Sequence, residues 1–269
     1  MKGWYSLLLV VLVCLAWAFM LGVDRESNNE LVEESYEGIP VKELKTKELP
    51  VVDKKEEAQQ PTKKSFIVYL DPGHQARANT IHERVSPYSN ETKMKVTGGT
   101  TGVVTRKPEY VLNLEAAFLL EELLTEKGFE VYLTRSAHDV DISNKERAEM
   151  ANEKKADLVI RLHADGAENP NVSGFGVLVP SKKQAISKQS ESAATLIVSE
   201  VKKQSGMKVN GIRYRSDLTG FNWSTVPVVL LEMGYMTNPT EDQKLSNPAY
   251  LEGMLQAVTT GVEKYAALQ

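Results

Sequence analysis

From Phe66 to the C-terminus, short apolar runs alternate with stretches of helical period. This alternation limits the fold more than any other feature. The apolar runs stand at 66–70, 129–134 and 157–162, in "GFGVLVP" and in "VPVVLLE". Between them, residues 109–127 place Leu112, Ala116, Leu119, Leu120 and Leu123 on one face of a predicted helix. Pro108 suits its first turn, and Gly128 suits its C-terminal stop. Residues 142–153, with Ser143 as a candidate N-cap, read as a second helix. Residues 185–205, and a closing stretch from Asn247 or Pro248 to Ala267, read as two more. Strands alternating with helices predict an α/β fold, a mostly parallel twisted sheet with helices on both faces. Ligands of such sheets sit beyond the carboxyl ends of the strands. Residues 75–107 break the pattern: they are polar, with Gly98, Gly99 and Gly102 clustered, and they predict a long structureless loop.

Ahead of this domain lie two segments of different character. Residues 4–23 carry no charge and follow a lone Lys2; roughly 20 apolar residues suffice to span a bilayer as a helix. Residues 1–23 are therefore expected to be a signal anchor or a signal peptide. Ala16-Trp17-Ala18 resembles a cleavage site. Phe19-Met20-Leu21 carries the apolar run past it, which favours an uncleaved anchor in the cytoplasmic membrane. Lys2 on the short side places the N-terminus in the cytoplasm and the remainder outside. Residues 24–65 are charged, with Pro40, Pro50 and Pro61, and predict a flexible linker that buries too little apolar area to order itself. Cys14 is the only cysteine, which excludes an intrachain disulfide and a cysteine-based metal site. With 32 Lys and Arg against 36 Asp and Glu, a net charge of -4, there is no electrostatic reason to expect nucleic acid as a partner.

Four side chains stand where this fold would place a ligand. His74 follows the first strand, His163 ends "ADLVIRLHADG", and Glu232 ends "VPVVLLEMGY". Glu109 opens the helix that returns from the first strand, so all four can converge on one rim. Two neutral imidazoles and a carboxylate make an open zinc set, and a further carboxylate beside it is the usual general base. Glu115 competes with Glu109 for the ligand position. Six residues along a helix amount to roughly 9 Å of rise and about 600° of turn, so both cannot face one ion. Glu109, in the first turn, is nearer the rim. A carboxylate after "VVLL", as at Glu232, is costly to bury unless it is paired or near a metal. Of the remaining histidines, His82 in the polar segment reads as solvated, and His138, in "RSAHDVD", also follows a strand end but is not assigned to the site.

These residues, in this order, resemble the zinc-dependent N-acetylmuramoyl-L-alanine amidases of bacterial cell walls, amidase type 3. "IVYLDPGH" looks like the family's strand-turn-histidine signature. In "PEYVLNLEAAFLLEELLTEKGFEVYLTR" the family's ligand glutamate, four residues before Asn113, corresponds to Glu109. "NKERAEMANEKKADLVIRLHADG" is similar to the stretch leading to the second ligand histidine, and "VPVVLLEMGYMTNPTEDQKL" to the closing motif with the catalytic glutamate. The resemblance implies one Zn²⁺ per chain held by His74, Glu109 and His163, with Glu232 catalytic and residues 66–269 as the catalytic domain. It implies hydrolysis of the amide between N-acetylmuramic acid and L-alanine, and therefore an extracytoplasmic enzyme with peptidoglycan as partner. Gln75-Ala76-Arg77 departs from the glycine-containing continuation of many relatives, and the segment before Glu109 is longer than usual. The alternatives are another zinc amidohydrolase or peptidase acting on wall polymer, or a non-catalytic wall-binding module of the same fold.

Overall fold

The computed structural model describes residues 65–204 and 206–269. The predicted signal segment and all but the last residue of the predicted linker lie outside the described residues. Among the described residues, no helix is long and apolar enough to cross a membrane.

The chain runs β1 (Ile67–Pro72), β2 (Asn79–Arg84), β3 (Thr92–Val96), α1 (Glu109–Glu126), β4 (Glu130–Leu133), α2 (Asn144–Glu153) and β5 (Leu158–Asp165). It continues with β6 (Phe175–Pro180), α3 (Ser187–Val201), β7 (Val209–Arg215), α4 (Thr219–Asn222), β8 (Val228–Tyr235), α5 (Pro239–Leu245) and α6 (Pro248–Ala266). Six strands form one sheet in the order β4-β1-β5-β8-β6-β7. The first four run parallel, as expected, whereas β6 pairs antiparallel with β8 and β7 follows β6.

Because successive strand residues point to opposite faces, each central strand supplies two cores. Val68, Leu70, Ile160, Leu162 and Leu231 pack with Leu112 and Leu120 of α1, Ile197 of α3 and Met254 of α6. Tyr69, Val159, Leu178 and Leu230 pack with Ala151 of α2 and Phe221 of α4 on the other face. On this second face the side chains turn polar towards the carboxyl ends of the strands. Val159 is followed by Arg161 and His163 on β5, and Val228 and Leu230 by Glu232 on β8. Helix α2 starts at a capping box: the Ser143 hydroxyl accepts from the Glu146 amide at 3.2 Å, and the Glu146 carboxylate accepts from the Ser143 amide at 2.7 Å.

Residues 75–107 are not the structureless loop that their composition predicts. They contain an antiparallel hairpin, β2–β3. Its strands have little apolar content to pattern, and it is tied down by partners distant in sequence. Trp223 Nε1 donates to the Arg84 carbonyl at 2.9 Å, Asn144 Nδ2 to the Lys95 carbonyl at 2.8 Å, and Lys93 Nζ to the Asp217 carbonyl at 2.7 Å. Beyond the hairpin, fully buried Asp242 accepts from the Val104 amide, the Thr105 amide and the Thr105 hydroxyl at 2.7, 2.8 and 2.6 Å. That clasp fixes the approach to Glu109. Strand β7 also went unpredicted, since Val209–Arg215 alternates without a sustained apolar run.

Candidate metal centre

Strand β1 ends in Asp71-Pro72, and Gly73 then lets two elements meet closely. A Cβ at Gly73 would stand 2.2 Å from His163 Cε1, so only glycine admits the imidazole there. His74 follows in a left-handed conformation, φ 60°, a cost for a non-glycine residue that its surroundings must offset. Two arginines do so by donating to three consecutive carbonyls. Arg135 reaches the Pro72 and Gly73 oxygens, both at 3.0 Å. Arg147 reaches the Pro72 and His74 oxygens at 2.9 and 3.1 Å. Burial, with Arg147 nearby, lowers Arg135 to about 10, and it is still charged at neutral pH.

Asp71 anchors this framework from below. It is buried and receives Arg147 Nη1 at 2.8 Å, Arg161 Nε at 2.7 Å and the Thr134 hydroxyl at 2.7 Å. Burial opposes its charge, but the two guanidinium groups and the hydroxyl outweigh burial and hold it well below the usual carboxylate range.

The structure brings His74, Glu109 and His163 together, with one ligand-capable atom from each lying within 4.8 Å of the others. His74 Nε2 and His163 Nδ1 each stand 3.1 Å from Glu109 Oε1. The other Glu109 oxygen accepts from the Thr100 amide at 2.8 Å. Asn113 Nδ2, one turn along α1, lies 3.3 Å from both Glu109 Oε1 and the Gly73 carbonyl. Burial works against the Glu109 charge, yet hydrogen bonds from His163 and His74 leave it well below its ordinary value. The His163 pKa is lowered too, and here burial is the cause and favours the neutral, metal-ligating form.

This donor set fits zinc. The His74 Nδ1 proton goes to the Thr97 carbonyl at 2.8 Å, so in the neutral ring Nε2 presents a lone pair to Glu109 Oε1. Two lone pairs 3.1 Å apart repel unless a proton or cation joins them. Nitrogen and oxygen donors around one tetrahedral zinc stand roughly 3.3 Å apart, close to the spacing seen.

Glu232 lies beside this cluster. It is the direct partner of His163 across β5–β8, and both line one groove with His74. Glu232 Oε2 and His163 Nε2 are buried without a hydrogen-bond partner among the described residues. Burial, with Asp165 and Glu109 nearby, pushes the Glu232 carboxyl well above its ordinary value, and Arg213 and Arg215 oppose this.

A family model for N-acetylmuramoyl-L-alanine amidase matches residues 68–264. The chain belongs to this family. It is 26% identical over 202 residues to the probable cell wall amidase LytH of Staphylococcus epidermidis, a match covering 75% of this chain and 59% of that one. The chain thus spans about three fifths of that relative's length. It is also 26% identical over 214 residues to N-acetylmuramoyl-L-alanine amidase Rv3717 of Mycobacterium tuberculosis, covering 76% and 88%. Among solved structures, the N-acetylmuramyl-L-alanine amidase Ami1 of Mycobacterium smegmatis superposes with TM-score 0.69 at 26% identity, covering 76% of this chain and 98% of that one.

Other acids and histidines of the family domain lie apart from the cluster. Glu115 points away and pairs with Lys107 at 2.6 Å. His82 is exposed, lies on the hairpin wall of the groove and meets the Thr92 hydroxyl at 3.2 Å. His138 packs edge-on against Tyr110. Arg135 and Arg147 went unrecognised as supports of the His74 turn. Both lie inside quoted motifs, "YLTR" and "NKERAEMAN", and an arginine in an otherwise apolar or helical context was the signal.

The close approach at Gly73 gives a sharp test. A Gly73→Ala chain is expected to lose most of its zinc affinity, because the new methyl must displace the His163 ring. Zinc titration with a competing chelator measures this, and parent-like affinity would contradict the packing described.

Proposed function

We propose that the chain is a zinc-dependent N-acetylmuramoyl-L-alanine amidase acting on peptidoglycan. Its substrate bond is the amide between the lactyl group of N-acetylmuramic acid and the L-alanine of the stem peptide. The observation that carries this reading is the meeting of His74, Glu109 and His163, with Glu232 beside them, at the strand ends of an amidase-family domain.

His74, Glu109 and His163 would hold the metal. A zinc ion bound in such a set supplies Lewis acidity and an activated water at neutral pH. Thr97 fixes the His74 tautomer, and Thr100, Ala164 and Asn113 orient the Glu109 carboxylate. Glu232 takes the proton of the attacking water and returns it to the amine nitrogen of L-alanine as the C–N bond breaks. Its raised affinity for a proton suits that exchange. Leu178, Leu218 and Leu230 give the groove part of its apolar lining.

The substrate lies outside the cytoplasmic membrane, so this reading is of an extracytoplasmic protein. Residues 4–23 would tether it to the membrane as a signal anchor, and residues 24–65 would give it reach.

Incubating the chain with peptidoglycan, with and without a chelator, tests the proposal. Mass spectrometry is expected to find free stem peptides with an L-alanine amino terminus. Their formation should cease on chelation and resume when zinc is restored. Products cut elsewhere in the stem would indicate a peptidase, and deacetylated glycan would indicate a deacetylase. Either would overturn the assignment.

A further inference from the structure

The groove that holds the candidate centre has a volume of about 530 Å³ and extends to residues with no part in the mechanism above. Lys93 and Met94 of the hairpin line it together with Arg215, at the end of β7, and Asp217, between β7 and α4, and Lys93 reaches Asp217 to make one continuous wall.

We propose that Arg215 receives a carboxylate of the substrate's peptide half and so makes the enzyme selective for acidic stem peptides. The inference rests on the amidase reading. Arg215 is held as a preformed fork, with Nε and Nη2 donating to the two Asp217 oxygens at 2.7 and 2.8 Å. Lys93 Nζ adds a third cationic contact to the same carboxylate at 3.2 Å. The guanidinium plane is therefore ordered before any ligand arrives, which removes part of the entropic cost of binding. Its third nitrogen, Nη1, has no hydrogen-bond partner among the described residues, and the side chain is 42% exposed.

Charge points the same way. Lys93 and Arg215 carry two positive charges against the single negative charge of Asp217, so this wall keeps an excess of one. Arg161, the remaining arginine of the groove, is buried, and its Nε and Nη2 already donate to Asp71 and Asn144. Arg215 and Glu232 line the same groove, so a substrate whose scissile amide lies at Glu232 can bring a carboxylate of its peptide half to Arg215. A guanidinium and a carboxylate form a charge-assisted, directional pair, whereas a carboxamide at the same place offers only a neutral acceptor.

The test uses two soluble muramoyl peptides that differ only in the residue after L-alanine, which carries a free carboxylate in one and a carboxamide in the other. KM and kcat are measured on the zinc-loaded full chain and on Arg215→Gln. The parent is expected to show a KM about tenfold lower for the carboxylate substrate, and Arg215→Gln is expected to erase that preference. Equal KM values for the two substrates on the parent would overturn the inference and leave the amidase reading standing, and this comparison needs no variant. A preference that survives Arg215→Gln would also overturn it. Cleavage of neither substrate would refute both.

Discussion

The Glu232→Gln enzyme is expected to cleave peptidoglycan on the order of 10²–10⁴-fold more slowly than the parent while still binding zinc. The substitution keeps the volume of the side chain and removes its ability to take a proton. Glu232 is set apart from the three clustered donors, which converge on Glu109 Oε1 without it. It sits opposite His163 with one oxygen unpartnered, the placement of a group awaiting something to bind. Two measurements belong together: kcat from released stem peptides, and zinc content of the purified variant. Turnover at the parent rate would remove Glu232 from the mechanism. Loss of zinc with activity would mean that it serves as a ligand.

A large effect on stability is expected from Asp71→Ala, about 3–5 kcal/mol of unfolding free energy. The aspartate is almost fully buried between Arg147 and Arg161, and its removal leaves two buried guanidinium groups without their counter-charge. Arg147 also holds the Pro72 and His74 carbonyls, so the variant is expected to bind zinc more weakly as well. Urea denaturation of the zinc-free proteins isolates the first effect, and chelator competition measures the second. A loss below about 1 kcal/mol would show that the network relaxes without its anion. The pH dependence has a definite sign. The folded-state pKa of Asp71 is lowered, so its contribution is complete above the unfolded value of about 3.9 and is lost as pH falls towards the folded one. Parent and Asp71→Ala stabilities should therefore converge in strong acid, separate as pH rises towards about 4, and run parallel above it.

The centre was readable in the sequence to an unusual degree because each of its members stands at the end of a strongly patterned element. His74, His163 and Glu232 close apolar runs, and Glu109 opens a helix rich in leucine and alanine. A parallel sheet brings such ends to one rim whatever the intervening loops, so sequence distance did not hide them. The rest went unseen for the opposite reason. The hairpin Asn79–Val96 has exposed Ile81 and Met94 and owes its place to Trp223, Asn144 and Asp217, none of them near it in the chain. The reversal of β6 leaves no mark on its composition, because a strand buried on both faces reads the same in either direction, and half-exposed β7 follows β6 at the sheet edge.

Local chemistry along the chain determined the α/β class, most element positions and the four side chains at the strand ends, since periodicity and turn residues act over a few positions. Only the tertiary structure decided what stands around those four. It put Gly73 under the His163 ring, two arginines on the carbonyls of the His74 turn, and Arg215 on the groove wall. Such contacts are set by side chains packed across strands from distant parts of the chain, and their free energy depends on burial and distance, which exist only once the sheet has closed.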